Sequence, residues 1–214
     1  MMSTAIQFDD DRSVSDFKVF LQRAEKSTDG VVRLRADRGT VRATVSTFAP
    51  FGLLDSAPTV LGMKIFSEET AQDLDALVNI RALLDRLARS EPQETELPLP
   101  PMRETAPWAG VDAPQGDWVA AGEIPTSMLN GIALAGISEV AQALPDNAGE
   151  LIVREVRQQV WSRELSDFPQ LTTGVAFTAH ILGFLSNTEN AHVFESGRWL
   201  RLTTRSGHVL VYRR

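Results

Sequence analysis

The chain of 214 residues contains no cysteine, only three histidines and only three lysines, Lys18, Lys26 and Lys64. Without a thiol it can be neither a disulfide scaffold, nor a thiol enzyme, nor a Cys-ligated zinc protein. No stretch of about 18 apolar residues exists, so no transmembrane helix is expected. The first residues, MMSTAIQFDDD, have neither the basic n-region nor the apolar h-region of a secretory signal. The expected location is therefore the cytoplasm. The phosphate loop GxxxxGK[ST], the GxGxxG fingerprint, the HExxH zinc helix and the GxSxG nucleophile elbow are all missing.

What is present is an ordinary globular composition. Hydrophobic residues make up 43% and charged residues 23%, too apolar for a disordered chain. The formal net charge is -7, unevenly spread. Residues 1–192 carry 16 basic and 27 acidic side chains, whereas residues 193–214 carry five arginines, Arg198, Arg201, Arg205, Arg213 and Arg214, against Glu195 alone. An acidic body repels the nucleic-acid backbone. The basic C-terminus keeps a local nucleic-acid hypothesis open without promoting it.

Periodicity divides the chain. Residues 1–12 read as a frayed acidic leader. Phe17, Phe20, Leu21 and Ala24 recur at helical spacing. The runs 31–36 and 40–48 alternate around Asp37-Arg38-Gly39 and predict a hairpin, with Arg33, Arg35, Arg38 and Arg42 as a wet basic face. Residues 59–66 add a third strand, and Ser67 is expected to cap a helix reaching about Arg89. Residues 91–116 hold six of the eleven prolines and read as a spacer, with LPLPP (97–101) of polyproline II character. From Asp117 onward the pattern predicts a short strand at 118–120 and helices over 126–144, about 149–163 and about 172–185. Three strands, 192–195, 198–204 and 208–213, follow, turned at Ser196-Gly197 and Ser206-Gly207. The fold class expected is α+β: two modules, 1–90 and 117–214, each a three-stranded antiparallel meander packed with helices, joined by the Pro-rich linker 91–116.

The chemistry-bearing residues are few. His180 lies in the most apolar helix and reads as a satisfied core imidazole, the functional alternative being an acid/base or ligand residue lining a pocket. His208 follows a turn and reads as a hairpin residue. Carboxylate pairs, Glu68/Glu69 and Asp73/Asp75, read as solvated. Gly131 and Gly136 read as close-packing positions on a helix. The candidate binding residues are His180, Arg198, Trp199, Arg201 and His208, because arginine interleaved with aromatics suits single-stranded nucleic acid or a planar anion. No catalytic residue, metal ligand or cofactor is expected. A winged-helix regulator is disfavoured, since the helix before the hairpins has no arginine or lysine to read DNA.

Asp117-Trp118, Gly122-Glu123-Ile124-Pro125, Ala179 to Leu185, Ser196 to Leu202 and Gly207-His208-Val209 together resemble a set of conserved hypothetical proteins of actinobacteria, over roughly residues 108–214. The resemblance implies a cytoplasmic bacterial protein and transfers no functional residue. The leading functional expectation is a non-catalytic binding or adaptor protein whose partner is a protein, possibly a second copy of itself. The alternatives are a nucleic-acid-associated protein using the C-terminal arginines, which the acidic body disfavours, and an enzyme with a pocket around His180. No membrane partner is expected.

Overall fold

The structure is a computed structural model that describes residues 5–50, 57–69, 73–91, 93–145, 147–186 and 188–213. The expected end of the first hairpin at Phe51-Gly52, the first four residues of the leader, Pro92, Asp146 and Arg214 lie outside the described residues. The chain forms two compact units. Unit 1 holds residues 1–47 and 62–112; unit 2 holds residues 48–61 and 113–214.

Unit 1 begins with strand β1 (Ala5–Gln7) and helix α1 (Asp11–Glu25). Asp10 is the N-cap, its carboxylate accepting from the Ser13 N–H at 2.7 Å. That bond holds the Asp10 carboxyl below its usual range. The acidic run read as a frayed leader thus starts the helix, because a carboxylate satisfies the orphan N–H groups and suits the positive end of the dipole. Strands β2 (Val31–Asp37) and β3 (Thr40–Phe48) form the expected antiparallel pair, turned through Arg38 and Gly39 at positive φ. Strand β4 (Thr59–Ser67) lies beside β3.

Ser67 does not cap a helix. Residues 74–79 form strand β5 (Leu74–Asn79), paired antiparallel with β2, and only Ile80–Leu87 is helical, as α2. Leu74, Leu77, Val78 and Leu84 satisfy a helical period well enough to hide the alternation of Ala76 and Val78 that the sheet buries. Asn79 ends the strand and caps the helix through the Ala82 N–H. The strand order in unit 1 is β5-β2-β3-β4. Phe8, Phe17, Phe20 and Phe66 close its core as a ring cluster with centroids 5.2–6.5 Å apart.

The first part of the proline-rich stretch is packed rather than free. Strand β6 (Glu96–Pro98) pairs with β1, and a 3-10 turn covers Pro107–Gly110. Leu97, Leu99 and Trp108 are buried, and the Trp108 indole donates to Asp29. Proline forbids a central strand but permits a short edge one.

Unit 2 contains β7 (Val119–Pro125), α3 (Thr126–Ala143), α4 (Glu150–Trp161), β8 (Glu164–Leu165), β9 (Phe168–Thr172) and α5 (Thr173–Ile181). The chain then runs through β10 (Asn190–Ser196), β11 (Trp199–Thr204) and β12 (Gly207–Tyr212). Here the strand order is β7-β10-β11-β12. Each unit therefore contains three consecutive neighbouring strands plus a fourth on the far edge of the first. In α5, Gly174 to Ala179 are all buried. The helix stops at Ile181, shorter than expected, because Gly183 takes φ 73° and the Phe184 N–H returns to the Ala179 carbonyl. Trp161 and Phe177 stack with centroids 4.4 Å apart. A Cβ on Gly136 would overlap the Trp161 ring, so the glycine lets α3 and α4 approach.

Candidate functional site

Residues that alternate with the buried Leu200, Leu202, Val209 and Val211 form the outer face of the unit 2 sheet. Cross-strand register sets its rows. Phe194 lies opposite Arg201, and Arg201 opposite Leu210; His192 lies opposite Thr203, and Thr203 opposite His208. Trp199 and Tyr212 are paired one row further on, with ring centroids 5.0 Å apart.

Arg201 is the centre of this face. Its guanidinium lies 4.4 Å from the Trp118 ring centroid and 4.8 Å from that of Phe194. Trp118 comes from the coil ahead of β7, where Asp117 takes φ 60° and the indole N–H donates to the Pro114 carbonyl at 3.0 Å. The ring is therefore held in place before any ligand arrives. Burial works against the Arg201 charge, and its Nε is buried without a hydrogen-bond partner. His208 makes a 3.0 Å hydrogen bond with the Thr203 hydroxyl. Burial first, and the Arg201 charge second, push its imidazole down to about 4. It is neutral at pH 7.

The five predicted residues are not one site. Arg201 and His208 act on each other electrostatically. Trp199 is buried against Tyr212, and Arg198 is exposed at the β10–β11 turn. His180 stands apart on α5, the helix that packs on β12 from the core side. It is not sealed: it is half-buried, and its Nδ1 lies 2.6 Å from Asn130 Oδ1 on α3. Trp118 and Phe194 were missed as site residues, since only the register and the coil geometry bring them onto Arg201.

A second feature has no sequence signal. Ile124 and Pro125 of β7, Met128 and Ile132 of α3, and Leu165 and Phe168 of the β8–β9 hairpin line a small apolar cleft of about 50 Å³. Glu123 and Asp167 also line it, Glu123 accepting from the Asn190 amide at 3.0 Å. Gly122, at φ 145°, lies under Phe168, whose ring a Cβ would meet at 2.8 Å. The side of β7 away from β10 is an unpaired edge, and Val119 on that strand is 63% exposed.

Of the four arginines predicted as a basic face on the first hairpin, three are neutralised within unit 1, and Arg38 is exposed at the turn. Arg33 forks onto Asp75 and reaches Asp112 at 2.6 Å; Arg35 contacts the same two carboxylates; Arg42 pairs with Asp37. Of the carboxylates read as solvated, Glu68 is buried and Asp75 is engaged. Among the described residues no group of three His, Asp or Glu side chains could hold a metal ion. Nor, among them, is any helix long and apolar enough to cross a membrane.

The fold resembles that of bacterial DNA polymerase sliding clamps. The Caulobacter crescentus sliding clamp matches with a TM-score of 0.51 at 8% identity, over 99% of this chain and 65% of that one. The Helicobacter pylori beta clamp bound to a DNA ligase peptide matches at 0.50 and 10% identity, over 98% and 66%. A putative DNA polymerase III beta subunit from Eubacterium rectale matches at 0.51 and 4% identity, over 98% and 64%. This chain thus spans about two thirds of the length of those clamps. The similarity is one of fold.

By sequence, the chain belongs to two adjoining families. A domain of unknown function, DUF8010, covers residues 1–110, and a second, DUF8185, covers residues 102–214. No curated protein matches the sequence.

Proposed function

We propose that this protein is a non-catalytic, cytoplasmic protein-binding scaffold. Its partner would insert an apolar side chain of a short peptide into the cleft between β7, α3 and the β8–β9 hairpin. The observation that carries this reading is the sliding-clamp-like fold, which in the Helicobacter pylori beta clamp is found with a DNA ligase peptide bound. The cleft supports it: apolar walls supply affinity, and Glu123 and Asp167 in its lining suit a basic residue beside the anchor. The open edge of β7 offers backbone hydrogen bonds to an added strand, from a partner or a second copy.

The test is selection of random dodecapeptides on the full chain, then titration of the enriched peptides against the wild type and Met128→Glu. Met128 is 39% exposed, so a charge there spoils the cleft without entering the core. Enriched peptides should share an apolar anchor and bind the variant at least about tenfold more weakly, the loss of roughly one buried side chain. Failure to enrich any peptide, or equal binding to both proteins, rejects this cleft as the docking site. Nucleic-acid association through the C-terminal arginines is the alternative reading, favoured by exposed Arg198 and by Arg201, whose Nε has no hydrogen-bond partner among the described residues. It predicts oligonucleotide affinity that collapses with added salt.

A further inference from the structure

Arg201 presents a problem that the peptide cleft does not solve. It is a half-buried cation with no ion pair and no side-chain hydrogen bond among the described residues, set over two aromatic rings. Arg157, over the Phe48 and Phe177 rings, is held in a similar way, but other arginines of the unit are engaged by polar partners. Arg205 pairs with Glu189, Arg163 with Glu139, and Arg213 donates to the Gly197 carbonyl. Rings hold a guanidinium flat but accept none of its N–H bonds. Stacking therefore fixes the plane and leaves the terminal nitrogens of the fork to an outside acceptor. The neighbouring imidazole supplies no negative charge, because His208 is neutral at pH 7.

We infer that the Trp118–Arg201–Phe194 stack is a seat for a carboxylate, and that its occupant is an acidic segment of a polypeptide laid across the outer face of the unit 2 sheet. The fork geometry of guanidinium and carboxylate supports the first half, as two parallel charge-assisted hydrogen bonds form without moving either ring. Three observations choose the polypeptide over a nucleic acid. Both rings are already spent on Arg201, and Trp199 is buried against Tyr212, so no free platform remains for bases to stack on. Glu189 neutralises Arg205. The chain carries a net charge of -7, which tolerates a few carboxylates at one cationic point better than a polyanion. Exposed Arg198, three residues back across the turn, supplies a second positive charge for the same segment.

The test is a titration of the full chain with hexaglutamate, followed by nitrogen-15 NMR of the Arg201 Nε–H and the Trp118 indole N–H, and by anisotropy of the labelled peptide. A decathymidylate of similar length is the second probe. Hexaglutamate should shift both reporter signals saturably. Arg201→Lys, which keeps the charge but loses the planar fork, should weaken binding by about tenfold, whereas Arg205→Gln should leave it unchanged. The inference is overturned if the reporter signals do not move in the wild type, a result that needs no variant to fold. Equal affinity for the Arg201→Lys protein also overturns it. Tighter, Arg201-dependent binding of decathymidylate assigns the seat to nucleic-acid phosphate instead. None of these outcomes depends on the Met128 cleft.

Discussion

Unit 1 and unit 2 share an arrangement of four neighbouring strands, yet they treat polar and bulky side chains in opposite ways. In unit 1 three arginines of the sheet face are met by carboxylates from the same unit, Arg33 and Arg35 by Asp75 and Asp112 and Arg42 by Asp37. Its core is filled by phenylalanines that pack on one another. In unit 2 the central arginine of the face is met by rings, and the core relies on glycines that admit a large side chain: Gly136 under Trp161, Gly122 under Phe168, and Gly207 under Phe184. A surface whose charges are internally satisfied has little left to offer a partner. One whose guanidinium is held but unsatisfied retains hydrogen-bonding capacity. On the proposed reading, recognition would fall to unit 2, whose Arg201 is held by rings, rather than to unit 1.

The largest effects should come from the two kinds of core. Phe17 is fully buried at the centre of the unit 1 ring cluster, and Phe17→Ala should cost about 4 kcal/mol through lost burial and the cavity left behind. Gly136→Ala should cost about 3 kcal/mol by the opposite route, since its methyl overlaps the Trp161 ring. Denaturant unfolding measures both. A compensating Trp161→Phe should recover part of the Gly136→Ala loss and none of the Phe17→Ala loss. Recovery in both, or in neither, would break the distinction between a core filled by bulk and one opened by glycine.

The arginines give the next test. Arg33 is 14% exposed and holds three acceptors, so Arg33→Met should destabilise by about 2 kcal/mol, leaving the Ala109 carbonyl without its donor and Asp75 and Asp112 to Arg35 alone. Arg201→Met keeps the contact with both rings and removes no hydrogen bond, so its cost should stay below about 1 kcal/mol. Similar costs at the two sites would show that Arg201 is as structural as Arg33.

Much of unit 2 was legible because its signals are local. The alternations of β10, β11 and β12 each fit in a window of a few residues, as do their turns, which lie at Gly197-Arg198 and Arg205-Ser206, one residue from the expected Ser196-Gly197 and Ser206-Gly207. The all-round apolar character of α5 marked it as buried. Unit 1 was harder where two periods coincide, as at Leu74 to Val78, and where one carboxylate can either repel or cap, as at Asp10. Arg201 stood out in the sequence as an arginine among aromatics, but its partners did not. Trp118 lies 83 positions away, and the contact depends on a coil closed by the Pro114 carbonyl and on a register read only between strands. The cleft at Met128 has no sequence signature at all, since its walls come from three elements and each wall residue alone is an ordinary apolar side chain.

Acid should separate the units more gently. His208 is neutral in the folded protein, with its imidazole pushed down to about 4 from 6.5. The unfolded chain therefore binds the extra proton between those values, and stability that is complete above about pH 6.5 drains away as pH falls toward 4. Asp75 behaves differently: the Arg33 hydrogen bond holds its carboxyl below 3.8, so its contribution persists down to 3.8 and is lost only beneath it. Between pH 7 and 5 the loss from His208 should be about 1.5 kcal/mol, with allowance for partial solvation of the ring. Hydrogen exchange in β11 and β12 should accelerate over this range, while β2 and β5 hold their protection until the pH drops below 3.8. His208→Asn, whose amide can still meet the Thr203 hydroxyl, should flatten the profile of β11 and β12 and leave β2 and β5 untouched. If the profile keeps its slope in that variant, the acid sensitivity belongs to another group, and the neutral imidazole beside Arg201 is not what distinguishes the face of unit 2.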